Sequence, residues 1–288
     1  MAKDVTPVDL TITPRDRRFG REIRHNRWWH GGNPFATAFY NALSVTFPKG
    51  EAFFVESVKA HRDGLPPKLA NEVRAFVQQE VMHSREHIAF NRHVADHGYD
   101  VDRLERDVQA QIDLTKGRPL IASLAATMCV EHFTAIMASE ILSNPRHFAG
   151  ADEEAAAMWR WHALEEIEHK GVAYDVWLHA TRSWPRLKRW KVKAQVMLLT
   201  TQRFFYYRTV GMLELLRQDG ITGPKAWWGL FRYALVRPGM YRKIAVEWLK
   251  FFMPGFHPWN HDDRDLIRLA ESEYEAAVMP GARKALAA

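Results

Sequence analysis

Helical periodicity dominates this chain and constrains its fold more than any other feature. Apolar residues recur every three to four positions over long stretches, and no two alternating apolar and polar runs are joined by an Asn-Gly type of turn. The sequence therefore predicts an all-α protein. With 288 residues, 47% of them hydrophobic and 12% aromatic, the chain can bury a large core, which excludes a disordered protein.

Four long helices are predicted in two pairs, at residues 34–62, 68–97, 119–142 and 152–181. The first helix contains a proline and a glycine at 47–50, where we expect a kink or a restart. Turns rich in proline and glycine lie at 63–67 and 143–151, so each pair should form an antiparallel hairpin. A shorter amphipathic segment at 100–115 joins the hairpins as a crossover. This layout predicts a ferritin-like four-helix bundle.

Composition divides the chain into three predicted segments. The bundle, residues 34–182, follows a basic N-terminal segment at 1–33 and precedes an aromatic and basic helical extension at 183–288. The N-terminal segment lacks the apolar stretch of a secretory signal, and no uninterrupted apolar run approaches the roughly 18 residues of a membrane span. Cys129 is the single cysteine, so no intrachain disulfide can form. We expect a cytoplasmic protein.

Two Glu-x-x-His motifs, Glu80 to His83 and Glu166 to His169, lie in the second and fourth predicted helices. A spacing of three residues places both side chains on one face of a helix, where they can bind the same cation. One such motif is common on charged helices. Two copies in alternate helices of a predicted bundle indicate a shared metal site.

A ferritin-like site needs one further carboxylate from each of the other two helices. The midpoint between Glu51 and Glu80 falls within the turn at 63–67, so the two residues lie at equal height in their hairpin. Glu131 and Glu166 are matched in the same way across the second hairpin. Glu131 also lies in an apolar stretch, where an unpaired carboxylate would be unfavourable.

The predicted site thus combines four carboxylates with two imidazoles: Glu51, Glu80, His83, Glu131, Glu166 and His169. Carboxylate oxygens and imidazole nitrogens suit two adjacent divalent ions, iron first, with manganese or zinc as alternatives. Glu165 precedes Glu166 by one position and is an alternative ligand.

Two further histidines are candidate catalytic residues. His87 follows His83 by one turn and His162 precedes Glu166 by one turn, so each lies on the face that carries the ligands. They could be extra ligands, a proton relay or substrate contacts, or they could be ordinary hydrogen-bonded core histidines.

Four stretches of the sequence resemble a bacterial family catalogued as predicted metal-dependent hydrolases. They are Asn-Ala-Leu-Ser-Val-Thr-Phe-Pro-Lys-Gly-Glu at 41–51, Gln-Glu-Val-Met-His at 79–83 with Glu86-His87, Glu-Glu-Ile-Glu-His-Lys at 165–170, and Pro-Gly-Phe-His-Pro at 254–258. The resemblance extends from about Arg15 to Trp259, and what it implies is metal dependence.

Two reactions fit such a centre, and the residues by themselves favour oxidation. Two iron ions could activate dioxygen to oxidise a small, lipophilic substrate, while the carboxylates absorb the changes of charge. The alternative is a binuclear hydrolase that uses a metal-activated water. A ferritin-type storage protein ranks last, because it does not explain the extension at 183–288.

The partners are harder to predict. Neither a dinucleotide fingerprint nor a phosphate-binding loop occurs, and the basic N-terminal segment contains no nucleic-acid-binding module, so we expect a small-molecule substrate and no nucleic acid. The extension carries six tryptophans among basic residues: Trp184, Trp190, Trp227, Trp228, Trp248 and Trp259. They could pack a helical lid, cover a lipophilic substrate or contact a membrane surface. A homodimer is also compatible with the sequence.

Overall fold

The computed structural model of the protein describes residues 6–19 and 26–278. Within these ranges the only β-type pairing is an isolated bridge between His30 and Ala151, so the all-α prediction is confirmed. The helices are α1 (Pro34–Ser44), α2 (Phe47–Lys59), α3 (Pro67–Asp96), α4 (Asp102–Asp113), α5 (Leu120–Ser143), α6 (Glu153–His169), α7 (Val172–Ala180), α8 (Arg186–Gln218), α9 (Gly223–Phe231), α10 (Met240–Lys250) and α11 (Arg264–Val278).

Four of these helices surround a common interior. α2 packs against α3 and α5, and α6 packs against the same two helices, so each has two neighbours within the group. α4 crosses between the two pairs and contacts α2. The specific ferritin-like topology stays a prediction.

Two predicted helices are each divided in the structure. The first breaks at Val45 and Thr46, and Pro48 lies in the first turn of α2, where its missing N–H is tolerated. The last breaks at Lys170 and Gly171, between α6 and α7. A Cβ at Gly171 would lie 3.0 Å from the Trp259 indole, so glycine permits the C-terminal region to pack tightly at this break.

The C-terminal helices pack directly on the bundle. α8 contacts α1 and α5, α10 contacts α5, and α11 contacts α6. Met197, Leu215 and Ile244 are buried in the same apolar cluster as the bundle residues. The division into three segments at residues 33 and 182 rests on composition and stays a prediction.

α5 is the central helix of the fold. Among the described residues it is the one helix long and apolar enough to cross a membrane, with a mean hydropathy of 1.6 in its most apolar window. Of that window, 61% is buried inside the protein. This is the pattern of a core helix, and it gives only weak support for a membrane span.

Candidate metal centre

All eight residues predicted as ligands or catalytic groups come together inside the bundle. Each of the four helices supplies at least one: Glu51 from α2; Glu80, His83 and His87 from α3; Glu131 from α5; and His162, Glu166 and His169 from α6. None is more than 3% exposed. Their donor atoms form four overlapping groups, and within each group the atoms lie within 4.8 Å of one another.

Nine atoms of this cluster are buried and make no hydrogen bond within the described part of the chain. They are Glu51 Oε1, both carboxylate oxygens of Glu80 and of Glu131, Glu166 Oε2, His83 Nδ1, His162 Nε2 and His169 Nε2. Buried polar atoms nearly always have a partner, because losing their hydration without replacing it is unfavourable. So many buried oxygen and nitrogen atoms without a hydrogen-bond partner in one place therefore indicate a cation-binding site.

Two of the carboxylates lie between two histidines. Glu80 Oε1 is 3.6 Å from His83 Nδ1 and 3.2 Å from His169 Nε2. The two oxygens of Glu166 are each 3.7 Å from one of the same two nitrogens. Glu80 and Glu166 thus each lie within 3.7 Å of a ring nitrogen of both histidines.

The other two carboxylates lie on opposite sides of this pair. Glu51 groups with Glu80 and His83, whereas Glu131 groups with Glu80 and His169. Glu131 Oε2 is 3.5 Å from His169 Nε2. These two groups of ligand atoms share Glu80, and two further groups include His162.

Burial and neighbouring groups determine the protonation of the carboxylates. Burial, together with the neighbouring carboxylates, raises the pKa of Glu51 well above its usual value and that of Glu131 to about 8. Burial would also raise the pKa of Glu166, but the adjacent His169 and His162 outweigh it and hold that pKa well below the usual range. Without a cation Glu51 and Glu131 are therefore protonated at neutral pH, and a divalent cation bound among them would favour their ionised forms.

Hydrogen bonds orient the two histidines of the Glu-x-x-His motifs. His83 Nε2 donates to Glu165 Oε2 at 3.1 Å, which leaves the Nδ1 lone pair facing the cluster. Gln79 Nε2 donates to Glu168, so Gln79 Oε1 accepts from His169 Nδ1 at 2.9 Å and the lone pair of His169 lies on Nε2. Both lone pairs belong to the unpartnered atoms described above.

These outer partners separate Glu165 from Glu166. Glu165 accepts from His83 and from the backbone N–H of Arg15 at 2.8 Å, whereas Glu166 Oε2 faces the cluster without a hydrogen bond. The geometry thus assigns Glu165 to the outer layer, and ligation by Glu166 stays a prediction. Burial would lower the pKa of His83, but without a cation the carboxylates of Glu165 and Glu80 raise it to about 10, so a cation that binds Nδ1 would displace a proton from it.

Arg15 connects the partners of both histidines. Its guanidinium binds Glu168 at 2.7 and 3.0 Å, its backbone N–H binds Glu165, and Glu168 in turn accepts from Gln79. Arg15 is not among the residues that the sequence predicted to form the site. No local signal identifies it, because Glu165 lies 150 positions away along the chain.

A chain of hydrogen bonds also fixes the tautomers of the two candidate catalytic histidines. Ser44 Oγ donates to Asn91 Oδ1 at 2.7 Å, so it accepts from His87 Nδ1 at 2.8 Å. His87 Nε2 then accepts from His162 Nδ1 at 2.9 Å. The lone pair of His162 consequently lies on Nε2, 3.1 Å from a Glu166 oxygen. His162 can thus act as a third imidazole ligand or as a base, and His87 positions it.

A largely apolar cavity of about 240 Å³ adjoins the cluster. His162 and Glu166 form part of its wall, and Phe47, Phe54 and Val130 are among its apolar lining residues. Further lining residues come from α4 and α8, outside the four-helix group. An apolar cavity with a few polar groups at one place is typical of a substrate site.

A family model described as a predicted metal-dependent hydrolase matches residues 13–262 of the chain. The matched region contains the whole cluster together with Arg15, and it confirms the resemblance drawn from the four sequence stretches. No curated protein and no solved structure is detectably similar to the chain.

Proposed function

The chain belongs to the family of predicted metal-dependent hydrolases, and we propose from this that it is a metal-dependent enzyme that hydrolyses an apolar small-molecule substrate. The proposal places two divalent cations among the glutamates and histidines between α2, α3, α5 and α6. The family match favours hydrolysis over oxidation, which is the reverse of the order ranked from the sequence.

One observation carries the proposal: nine unpartnered donor atoms of four carboxylates and three imidazoles converge next to an apolar cavity. Divalent cations bound there would lower the pKa of a water molecule and polarise the carbonyl or phosphoryl group of a substrate. Proton transfer and substrate binding depend on side chains of the protein.

His162 is the residue best placed to move a proton. It lines the cavity, and its Nε2 lone pair can accept a proton from a nucleophilic water. Burial lowers its pKa to about 4, so the imidazole is neutral at physiological pH. The hydrogen bond from His162 Nδ1 to His87 and on to Ser44 holds the ring in place and stabilises the charge that it gains.

The cavity supplies binding and excludes water. Phe47 packs on both histidines, with ring centroids 4.5 Å from His87 and 4.7 Å from His162. The apolar wall favours an acyl or aromatic group over a sugar or a nucleotide, because burying apolar surface drives binding there.

Activation of dioxygen by two iron ions is the second candidate function. A specific observation favours it: Glu80 and Glu166 lie between the two histidines, as carboxylates that bridge a di-iron centre would. Iron in this donor set would reduce dioxygen and oxidise a substrate held in the same cavity.

A reconstitution experiment tests the proposed function. Metal-free protein is loaded separately with zinc, manganese or Fe(II), then assayed for hydrolysis of p-nitrophenyl esters of increasing acyl length and for oxygen uptake. We expect ester hydrolysis that needs metal, is lost in Glu131→Gln and is retained in Glu153→Gln, an exposed glutamate at the start of α6. Oxygen uptake with Fe(II) and no hydrolysis with any metal would establish the second candidate instead. The absence of both activities would contradict both.

A further inference from the structure

The segment from α9 to the start of α10 exposes five large apolar side chains. They are Trp227, Trp228, Phe231, Leu235 and Val236, and we call them the α9 face. The exposed fractions of Trp227, Trp228 and Phe231 are 58%, 62% and 47%. Of the six tryptophans singled out in the sequence, Trp227 and Trp228 are the most exposed; Trp190 is 39% exposed, Trp184 and Trp248 are half-buried and Trp259 is buried.

The opposite side of the same segment is apolar and buried. Ala226, Leu230, Tyr233 and Ala234 face the core, at positions that alternate with the exposed residues at helical spacing. A helix that is apolar on all sides normally lies inside a protein core or in contact with lipid. Here one side is covered by the protein and the other is not.

The α9 face is also rigidly placed. At Gly229 a Cβ would lie only 2.1 Å from the Phe35 ring, so the backbone of α9 lies directly on α1. Trp228 and Phe231 stack on each other with ring centroids 5.5 Å apart. The exposed rings therefore belong to an ordered, packed helix, which distinguishes them from side chains of a loose loop.

The charged side chains within this segment all have the same sign, and Lys243 lies 3.9 Å from Glu140 of α5, outside the segment. Between Asp219 and Glu247 the sequence has no acidic residue but five basic ones: Lys225, Arg232, Arg237, Arg242 and Lys243. All five are exposed. The five basic residues, with no acidic ones, give this segment a formal charge of +5, against +6 for the whole chain.

We infer that the α9 face docks on an anionic lipid bilayer. Tryptophan side chains favour the boundary between head groups and acyl chains, and each lysine or arginine near an anionic surface adds about 1 kcal/mol of attraction. A second copy of the chain fits this face poorly, because a symmetric contact would place five cations against five cations.

Vesicle sedimentation of the full-length protein tests this inference. Vesicles of phosphatidylcholine alone are compared with vesicles that also contain phosphatidylserine, at low and at high salt. The protein should bind the anionic vesicles, and salt should weaken the binding. Trp227→Ser with Trp228→Ser, and separately Lys225→Gln with Arg242→Gln, should each lower the partition coefficient about tenfold or more.

Matched controls use exposed residues elsewhere in the chain. Leu120→Ser with Leu187→Ser, and Lys59→Gln with Arg62→Gln, should leave binding unchanged. The inference is wrong if the unmodified protein does not bind anionic vesicles, or if the controls lose as much binding as the α9 variants. A protein that is dimeric in solution and becomes monomeric on the tryptophan substitutions, without binding vesicles, would show that a second copy covers the face.

Discussion

At the scale of single residues, the site depends on where the imidazole lone pairs lie. His83, His162 and His169 each use one ring nitrogen in a hydrogen bond to a neighbour, and the other nitrogen faces the carboxylates. The partners that fix these orientations should therefore matter for metal affinity, although they do not touch the cations.

Arg15 is the clearest test of this dependence. In Arg15→Met the guanidinium contacts with Glu168 at 2.7 Å and with Glu165 at 3.7 Å are lost, while the backbone N–H that binds Glu165 remains. We expect the affinity for Zn²⁺ or Mn²⁺ to fall about 10- to 100-fold while the fold is retained, as for other losses of outer-layer hydrogen bonds. Titration of metal-free protein measures it, with the exposed Arg18→Met as control. An unchanged affinity would show that Arg15 has only a structural role.

Arg203 offers a second prediction, which concerns the substrate. It lines the apolar cavity, donates through Nη1 to Gln111, and its buried Nε has no hydrogen-bond partner. An anionic group on an apolar ligand would accept a hydrogen bond from this unpartnered Nε–H. Octanoate should therefore bind more tightly than octanol in metal-free protein by calorimetry, where it cannot coordinate a cation.

Matched variants separate the contribution of the ligand's charged group from that of its apolar chain. Arg203→Met should weaken octanoate binding about tenfold and leave octanol binding unchanged, because a hydrogen bond to a charged group contributes about 1.5–3 kcal/mol. Arg186→Met, an exposed arginine of the same helix, should change neither. Equal losses for the acid and the alcohol would mean that Arg203 only shapes the cavity.

Lys193 permits a prediction about pH. Its ammonium group is buried among Phe251, Phe256 and Tyr174, and burial lowers its pKa from 10.5 to about 8. Between pH 8 and 10.5 the unfolded chain therefore binds more protons than the folded one, so this group makes the protein more stable as the pH rises through that window.

Lys193→Met should remove both the burial penalty and its pH dependence. The variant should be more stable than the unmodified protein by ~1–3 kcal/mol at pH 7, and the difference should shrink as the pH rises from 8 to 10.5. Urea unfolding across this range measures it. A variant that is less stable at pH 7 would show that the contacts between the ammonium and the aromatic rings outweigh its desolvation.

At the scale of helices, the sequence predicts most of what positions the ligands. Glu80 and His83, and likewise Glu166 and His169, share a helix face because their spacing is fixed by helix geometry. Glu51 and Glu131 could be found because short turns fix the register of each hairpin. Features that depend on contacts distant in sequence could not be predicted, such as Arg15 beside Glu168.

The break between α6 and α7 at Lys170 and Gly171 also involves contacts that are distant in sequence. Helical periodicity continues through it, whereas in the structure Gly171 lies against Trp259 and the Asp263 carboxylate binds Lys170 Nζ at 2.6 Å. Nothing within the predicted helix signals contacts with residues about ninety positions later.

Gly229 tests how tightly helices pack at such contacts. Gly229→Ala would place a methyl group 2.1 Å from the Phe35 ring, so α9 and α1 must separate or the ring must rotate. We expect a loss of ~1–3 kcal/mol of unfolding free energy, partly restored by adding Phe35→Ala. Gly50→Ala in α2, where the nearest atom is 3.9 Å away, should instead stabilise by ~0.5 kcal/mol. Equal effects of the two substitutions would contradict the close packing.

At the scale of the whole molecule, metal binding and folding should be coupled. The interior of the four-helix group contains four buried carboxylates that repel one another when no cation is bound. A cation that binds only the folded chain adds ~2.7 kcal/mol of stability when its free concentration is one hundred times Kd. Chelation should therefore lower the melting temperature of the unmodified protein more than that of Glu80→Gln, which lacks a carboxylate that we propose as a shared ligand.

Metal content per chain is the most direct test of the proposed two-cation centre. Protein loaded with Zn²⁺ or, under anaerobic conditions, Fe(II) is desalted and analysed by elemental mass spectrometry. We expect about two ions per chain, fewer in Glu80→Gln and His83→Ala, and an unchanged number in Glu153→Gln. A content near zero in the folded, unmodified protein, or a number that Glu80→Gln does not change, would contradict it.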